Sequence, residues 1–422
     1  MRKREGRRAD EIRPAARPIG QDELIVHLDA AELGANEIVG RLRNSRQRGL
    51  SVISFAYDPD WLAGPSAFGL DPSLGMHPGD QYPETLPGIF ADTTPDRWGR
   101  TLLERDIARI EGRSRVLDAW DLLTLVRDEL RMGALRFARS ADGLFVASGP
   151  PAVPPVARLR DLEHEVREVE SGRSPAPAAI ADLVAPGSSL GGNRPKANFR
   201  PDDGDLWMAK FPSATDRWDF AQWEYLLNEL AAGAGIPVPP TQLLGPYLAA
   251  HHTFAARRFD RRGPERRLFA SAMTLTGNRD HAMASYLDIA RAIELYGDPT
   301  TIAQDLEQLF RRVLFNVLSG HRDDHLRNHG FLRHARGWRL APAYDLNPRP
   351  DARRHELALN DAEKEPDLDL VLATAPYYRL SERQARTIAD EVRSALMPWR
   401  EKAEQLGIPR VEIDLMEAAF NV

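Results

Sequence analysis

The sequence predicts an α/β (α+β) fold of two lobes, the first built on short strands and one helix, the second mostly helical. Alternating runs at residues 197–199 and 206–211 flank a polar turn at 202–205, and the stripe Phe220, Trp223, Leu227 and Leu230 follows at helical spacing. Farther along, Leu306, Leu309, Phe310, Val313, Leu314 and Val317 repeat as the buried face of another helix. The density of prolines at 148–156 marks a linker ahead of these elements.

In chain order, residues 1–20 carry several Arg and Lys with few apolar residues, so a basic, disordered tail is expected. A first domain is expected over 21–147, a proline-rich linker and connecting helix over 148–180, the strand-bearing lobe over 181–256 and the helical lobe over 257–422. Cores can be filled, because the 422 residues are 42% hydrophobic and 8% aromatic. In the last lobe, Ser381 followed by Gln384 is a capping-box signature opening a helix that turns Ile388, Val392 and Leu396 inward.

Composition closes several routes to function. The chain has no cysteine, hence no disulfide, no thiolate zinc site and no cysteine nucleophile. No apolar run approaches the ~18 residues of a membrane span, and the N-terminus lacks the apolar stretch of a signal peptide. A soluble, cytoplasmic protein with no membrane partner is therefore expected. The formal net charge of −6 argues against a globally basic nucleic-acid binder.

The strongest chemical signal is GHRDDHLRNHGFL at 320–332. His321-Arg322-Asp323 followed by Asn328 reproduces H-R-D-x-x-x-x-N, the catalytic-loop spacing of protein kinases. A carboxylate must orient the attacking hydroxyl, and oxygen ligands must hold the metal that bridges the nucleotide phosphates. Asp323 suits the first task and Asn328 part of the second. Asp345, in APAYDLNP, lies beyond a small hairpin read from the runs 330–332 and 338–340, where a second metal-holding carboxylate is required. His321 and His325 also stand four apart, as in the zinc helix H-E-x-x-H. Against that rival, Arg322 occupies the place of the Glu base, and Gly320 with Asp323-Asp324 favours a loop.

The rest of a phosphate site should precede this loop. Residues 186–193, PGSSLGGN, form a flexible, donor-rich stretch containing Ser188, Ser189, Gly191 and Gly192, which leads through Lys196 into the first short strand. Alternation puts Lys210 on the side of Leu206 and Met208 at the end of the next strand, where an ammonium could reach phosphate. Glu224, on the helix that follows, is its natural partner.

Together GSSLGGNRPK, WMAKFP, QWEYLLNELAAGAGIPVPP, ARRFDRR, HRDDHLRNHGFL and APAYDL closely resemble the HipA family of bacterial serine/threonine kinases, toxins of type II toxin–antitoxin systems. Upstream, VHLDAAELGANEIVGRL, FAYDPDWL and PGIFADTTPDRWGRTLLERD look like that family's small N-terminal α+β domain. The resemblance implies a bilobed, protein-kinase-like (HipA-type) fold with ATP and Mg2+ as cofactors. Asp323 would be the catalytic base, and Asn328 and Asp345 the magnesium ligands. Lys210, Glu224, Gly191, Gly192, Lys196 and His325 would line the nucleotide, with adenine held by the backbone near Arg257 and the ring of Phe259.

By the same resemblance, Ser189 in the Gly-rich loop, or Ser188 beside it, would be autophosphorylated. A charge of about −1.5 to −2 would then repel nucleotide and could recruit Lys196 or Arg194. A HipB-like helix-turn-helix antitoxin is the implied partner, with operator DNA reached mainly through it, and the implied substrate is a protein, aminoacyl-tRNA synthetases being among those of the family. Leu346-Asn347 follow Asp345 where ordinary protein kinases have Phe-Gly, and no A-P-E segment is present, so conventional activation-loop control is not expected. A small-molecule kinase, an HRDDH metal-dependent enzyme and a catalytically silent repressor subunit are the alternatives. The joint set Lys210, Asp323, Asn328 and Asp345 argues against the silent subunit, while a small-molecule kinase would share the same ATP machinery; the protein kinase is the reading adopted.

Overall fold

The computed structural model describes residues 22–47, 50–141, 143–148, 153–172, 194–201, 204–278 and 283–422. An antiparallel sheet opens the chain, with β1 (Asp22–Ala30), β2 (Ala35–Gln47), β3 (Leu50–Tyr57) and β4 (Leu135–Ala138) in the order β3-β2-β1-β4. Leu24, Val26 and Leu28 alternate into its core. Two helices, α1 (Arg97–Glu111) and α2 (Ala119–Leu125), start at Asp96 and Asp118, whose carboxylates accept from the Gly99 and Asp121 amides, each at 2.8 Å. A further helix, α3 (Leu159–Glu170), follows the prolines.

The strand-bearing lobe is an antiparallel sheet of β5 (Lys196–Phe199), β6 (Trp207–Lys210), β7 (Thr241–Leu244) and β8 (Thr253–Arg257), ordered β5-β6-β8-β7. Its register sets Lys196 opposite Lys210. The two faces have different neighbours, as a period of two requires. Ala197, Phe199, Trp207 and Ala209 are buried with Trp98 and Leu102 of α1 and with Leu159, Leu162 and Val166 of α3. Met208, one position out of phase, packs instead with Phe269 and Leu332 of the second lobe. The helix carrying Glu224 is α4 (Phe220–Gly233), capped by Asp219 and buried along Trp223, Leu227 and Leu230.

The second lobe surrounds a three-stranded sheet of β9 (Phe269–Ser271), β10 (Gly330–His334) and β11 (Gly337–Leu340) with α5 (Tyr286–Tyr296), α6 (Ile302–Ser319) and α7 (Glu382–Leu396). Every residue of α6 from Leu309 to Ser319 is buried, so this part of the helix is enclosed on all sides. Some of its buried polar atoms find partners: Arg312 donates to the Ala341 carbonyl at 2.6 Å and Asn316 to Asp324 at 2.8 Å. The Ser381–Gln384 capping box forms, and α7 buries Ile388, Val392 and Leu396. The bilobed, kinase-like α/β arrangement read from the sequence is the one observed. Among the described residues no helix is long and apolar enough to cross a membrane.

A buried ionic knot ties the N-terminal sheet to the junction of the lobes. Asp260 is fully buried and accepts from Arg258 at 2.7 Å and from the Gly133 amide at 2.8 Å. Burial alone would raise its carboxyl, but Arg258 and Arg261 hold it well below the usual carboxylate range.

Candidate active site

Lys210 closes β6 with its side chain turned between the lobes. Its Nζ lies 2.5 Å from Glu224 Oε1 and 2.5 Å from Asp345 Oδ1, and the Lys210 and Glu224 side chains are 6% and 4% exposed. Burial pulls the ammonium down, but Asp345 and Glu224 outweigh it and hold Lys210 above its ordinary value. The lysine is therefore charged, with one carboxylate from each lobe. Asp345 reaches it in a left-handed conformation, φ +62°, which costs a non-glycine residue strain of the kind that functional sites retain.

The loop after α6 is fixed from beneath. Gly320 ends the helix at φ +69°, and His321 Nδ1 donates to the Asn347 carbonyl at 2.9 Å. Arg322 donates to the Ala352 carbonyl at 2.7 Å. Buried Asp324 accepts from the Tyr286 hydroxyl at 2.7 Å and from Asn316 and His329 at 2.8 Å each. Burial raises the Asp324 carboxyl, but His329 and these hydrogen bonds leave it well below its ordinary value. Asp323, by contrast, projects outward: its side chain is 54% exposed and accepts from Arg349 at 2.7 Å. Partial enclosure holds the Asp323 carboxyl above the usual range against the pull of Arg349. A carboxylate so placed can take a proton from an incoming hydroxyl.

Asn328 and Asp345 supply oxygen donors. Asn328 Nδ2 donates to the Asp323 carbonyl at 3.2 Å, leaving Oδ1 buried with no hydrogen-bond partner. An amide oxygen of this kind with a carboxylate suits a hard divalent cation such as Mg2+, which keeps its remaining sites for water and phosphate. Among the described residues no group of three or more His, Asp or Glu is arranged to hold a metal by itself. The helix ends at Gly320, ahead of His321 and His325, so the zinc-helix geometry does not form.

A cavity opens beside Lys210, lined by Met208, Glu224, Asn228, Phe254, Arg257, Phe259, Tyr344 and Asp345. The Phe259 ring lies 5.4 Å from Tyr344 and 6.0 Å from Phe269. Arg257 pairs with Asp205 at 3.0 Å, and its backbone amide donates to the Pro240 carbonyl at 2.9 Å, so that amide is committed. His325 keeps Nδ1 buried without a partner. Lys210, Glu224, Asp345, Arg257 and Phe259 thus share one cavity, and Asp323, Asn328 and His325 share the adjoining loop.

Two expected phosphate-facing cations have other partners. Lys196 is 1% exposed and bonds Asp96 of the N-terminal domain. Arg194 binds Asp216 bidentately at 2.7 and 2.8 Å and covers the Phe220 ring. Ser188, Ser189, Gly191 and Gly192 lie outside the described residues. Sequence reasoning missed Asp324, Arg349 and Asp96. Asp324 was passed over as loop polarity, and nothing in the sequence links Arg349 to Asp323. Asp96 had one local signal, an Asp ahead of an apolar helical run.

Family models match most of the chain: the HipA-like C-terminal domain over residues 188–399 and the HipA N-terminal domain over residues 33–138. The chain belongs to the HipA family. Among solved structures, it matches HipA in the complex of HipA, HipB and operator DNA from Shewanella oneidensis MR-1, with 17% identity, TM-score 0.65, 93% of this chain and 94% of that one. At that identity the match establishes the fold. Looser matches are the proinflammatory kinase CtkA of Helicobacter pylori (18% identity, TM-score 0.37, 54% of this chain and 92% of that one) and the choline kinase LicA of Streptococcus pneumoniae (13%, 0.20, 54% and 79%). Neither carries an argument here. No curated protein matches the chain.

Proposed function

We propose that this HipA-family chain is an ATP-dependent serine/threonine protein kinase and the toxin of a toxin–antitoxin pair. The observation that carries the reading is the charged Lys210 held between Glu224 and Asp345 at the mouth of an apolar cavity, with Asp323 and Asn328 on the adjoining loop. Phosphoryl transfer depends on positioning and on charge, and these residues supply both. The cavity takes an adenine between Phe259, Phe254 and Met208. Lys210 meets the phosphates, and Glu224 keeps its ammonium in place. Mg2+, held by Asn328 and Asp345, would offset the negative charge of the phosphates. Asp323 accepts the proton of the substrate hydroxyl, on the exposed side where a protein Ser or Thr can approach.

A HipB-like helix-turn-helix antitoxin is the proposed partner, with operator DNA bound mainly through it. The Shewanella HipA stands in a complex with HipB and its operator DNA, which supports this reading by likeness of fold. The protein substrate, an aminoacyl-tRNA synthetase in our reading, and autophosphorylation at Ser189 or Ser188 complete the proposal.

Intact-mass measurement after incubation with ATP and Mg2+, beside Asp323→Ala, tests the reading directly. A gain of one phosphate mapped to Ser189 or Ser188, absent in the variant, supports it. No gain in dephosphorylated protein, together with no ATP binding, overturns it. Phosphorylation of purified metabolites with no protein substrate would instead make the chain a small-molecule kinase.

A further inference from the structure

The segment between the short helix Gly88–Ala91 and α1 touches both lobes. On one side, Asp92 accepts from the Ser271 amide at 2.7 Å, the Ser271 hydroxyl at 2.8 Å and the Thr274 hydroxyl at 2.7 Å. Ser271 ends β9, which pairs with β10, and the next amide, Ala272, donates to the His329 carbonyl at 2.7 Å. Asp92 therefore grips the frame of the Asp323 loop. On the other side, Asp96 binds Lys196 at the start of β5, with both side chains at 5% exposure or less. Lys196 is the register partner of Lys210. Asp96 therefore grips the frame of the Lys210 strand.

Packing seats both ends. A Cβ at Gly88 would lie 2.5 Å from Thr274 Oγ1, so that helix is pressed against the second lobe. Trp98 and Leu102 are buried with Phe199 and Trp207 of the first. Between the carboxylates lie only Thr93, Thr94 and Pro95, and both threonine hydroxyls fold back onto the Phe90 and Ala91 carbonyls at 2.8 and 2.7 Å. Four residue steps reach at most ~14 Å even when fully extended. The lobes cannot part at this edge beyond that span unless one carboxylate lets go, and even a smaller opening must first break the turn that folds Thr93 and Thr94 back.

We infer that Asp92 and Asp96 form a clasp by which the N-terminal domain fixes the separation of the two lobes, and so the reach from Lys210 to Asp323. They are positioning residues, and neither touches the nucleotide. The inference rests on the kinase reading above. A clasp has two ends in series, so releasing either one releases the whole.

The experiment compares Asp92→Asn, Asp96→Asn and the double variant with wild type and Asp323→Ala, in phosphotransfer and in amide hydrogen exchange. Each single variant is expected to lose roughly tenfold in kcat with the KM for ATP nearly unchanged, because misplacement of the lobes slows transfer more than binding. The double variant is expected to lose no more than the worse single one. Asp96→Glu, which keeps the charge, should recover part of the loss. Unchanged kcat in both single variants, or losses that multiply in the double variant, overturns the clasp.

Hydrogen exchange reads the same question without activity. Asp92→Asn should speed exchange at the amides of β5, in the lobe it does not touch, and acceleration confined to residues 271–274 overturns the proposal. If wild type transfers no more phosphate than Asp323→Ala, the kinase reading fails and the exchange result alone decides the clasp. Should Asp92→Asn not fold, Thr274→Val removes one bond to Asp92 from the other side, with the same exchange pattern expected.

Discussion

Asp345 Oδ1 lies 2.5 Å from Lys210 Nζ, so a carboxylate from the second lobe rests on the buried ammonium of the first. Burial would raise the Asp345 carboxyl, yet Lys210 draws it well below its ordinary value. Glu224 sits on the other side of the same cation, but its deeper burial leaves its carboxyl above the ordinary value even against the pull of Lys210. Under the function proposed above, nucleotide phosphates entering this cavity would compete with Asp345 for the lysine and leave Asp345 to face a metal.

Lys210→Met leaves the buried Glu224 and the partly buried Asp345 without their cation. Removing one partner of a buried pair costs about 3–5 kcal/mol, and that loss is expected in urea unfolding at pH 8, with phosphotransfer falling below detection. Without Lys210, Asp345 loses the attraction that holds it below its ordinary value and Glu224, already raised by burial, climbs further, so both take folded pKa values above their unfolded ones. That penalty is full above the folded pKa and is relieved as pH falls through it. The gap to wild type should therefore narrow from pH 8 to pH 5. An equal gap at both pH values would mean that Lys210 is not balancing these acids.

Asn328→Ala removes the buried oxygen that lacks a protein partner. Only the 3.2 Å bond to the Asp323 carbonyl is lost with it, so stability should change by about 1 kcal/mol. The Mg2+ concentration for half-maximal phosphotransfer should rise at least tenfold, on the order of the loss that metal-site substitutions bring. An unchanged Mg2+ dependence would remove Asn328 from the metal site.

Much of the site was legible because its residues sit on locally determined elements. Lys210 could be placed from strand alternation, Glu224 from a helical stripe, and the Asp323 loop from the glycine that ends α6. The partners that arrive from far along the chain were not legible. Arg349 meets Asp323 across 26 positions and Asp96 meets Lys196 across 100, and no local pattern encodes such pairings. Lys196 shows the consequence. Its neighbourhood in sequence points to phosphate, while the tertiary fold gives it a carboxylate. The N-terminal sheet was likewise legible only through family likeness, since its order β3-β2-β1-β4 brings in a strand from more than 75 residues beyond β3.

Arg349→Gln should move the pH dependence of transfer. In the proposed role of base, Asp323 works only when ionised, so kcat/KM would fall as pH drops through its pKa. Enclosure already raises that pKa, and Arg349 opposes the rise. Without the guanidinium the carboxyl climbs further, so the acid limb of the profile shifts to higher pH while the plateau at high pH is largely kept. An unmoved acid limb would dissociate Asp323 from the step that limits the rate.

Gly320→Ala probes the hinge on which the Asp323 loop is hung. Gly320 has φ +69°, and an added Cβ would lie 2.4 Å from the Ala419 carbonyl oxygen and 2.7 Å from the Ala419 Cβ, backbone and stub that cannot swing aside. Gly407 is a matched control, with φ +74° and nothing among the described residues within 4 Å of its would-be Cβ. Gly407→Ala should therefore lose only the left-handed penalty of about 1–2 kcal/mol and keep full activity. Gly320→Ala adds a collision that forces the chain to move three residues before Asp323, so a further loss of about 1–3 kcal/mol is expected, with kcat down roughly a hundredfold. Thermal unfolding and phosphotransfer on the two variants separate the terms. If both variants lose the same stability and neither loses activity, contact with Ala419 does not set the position of Asp323.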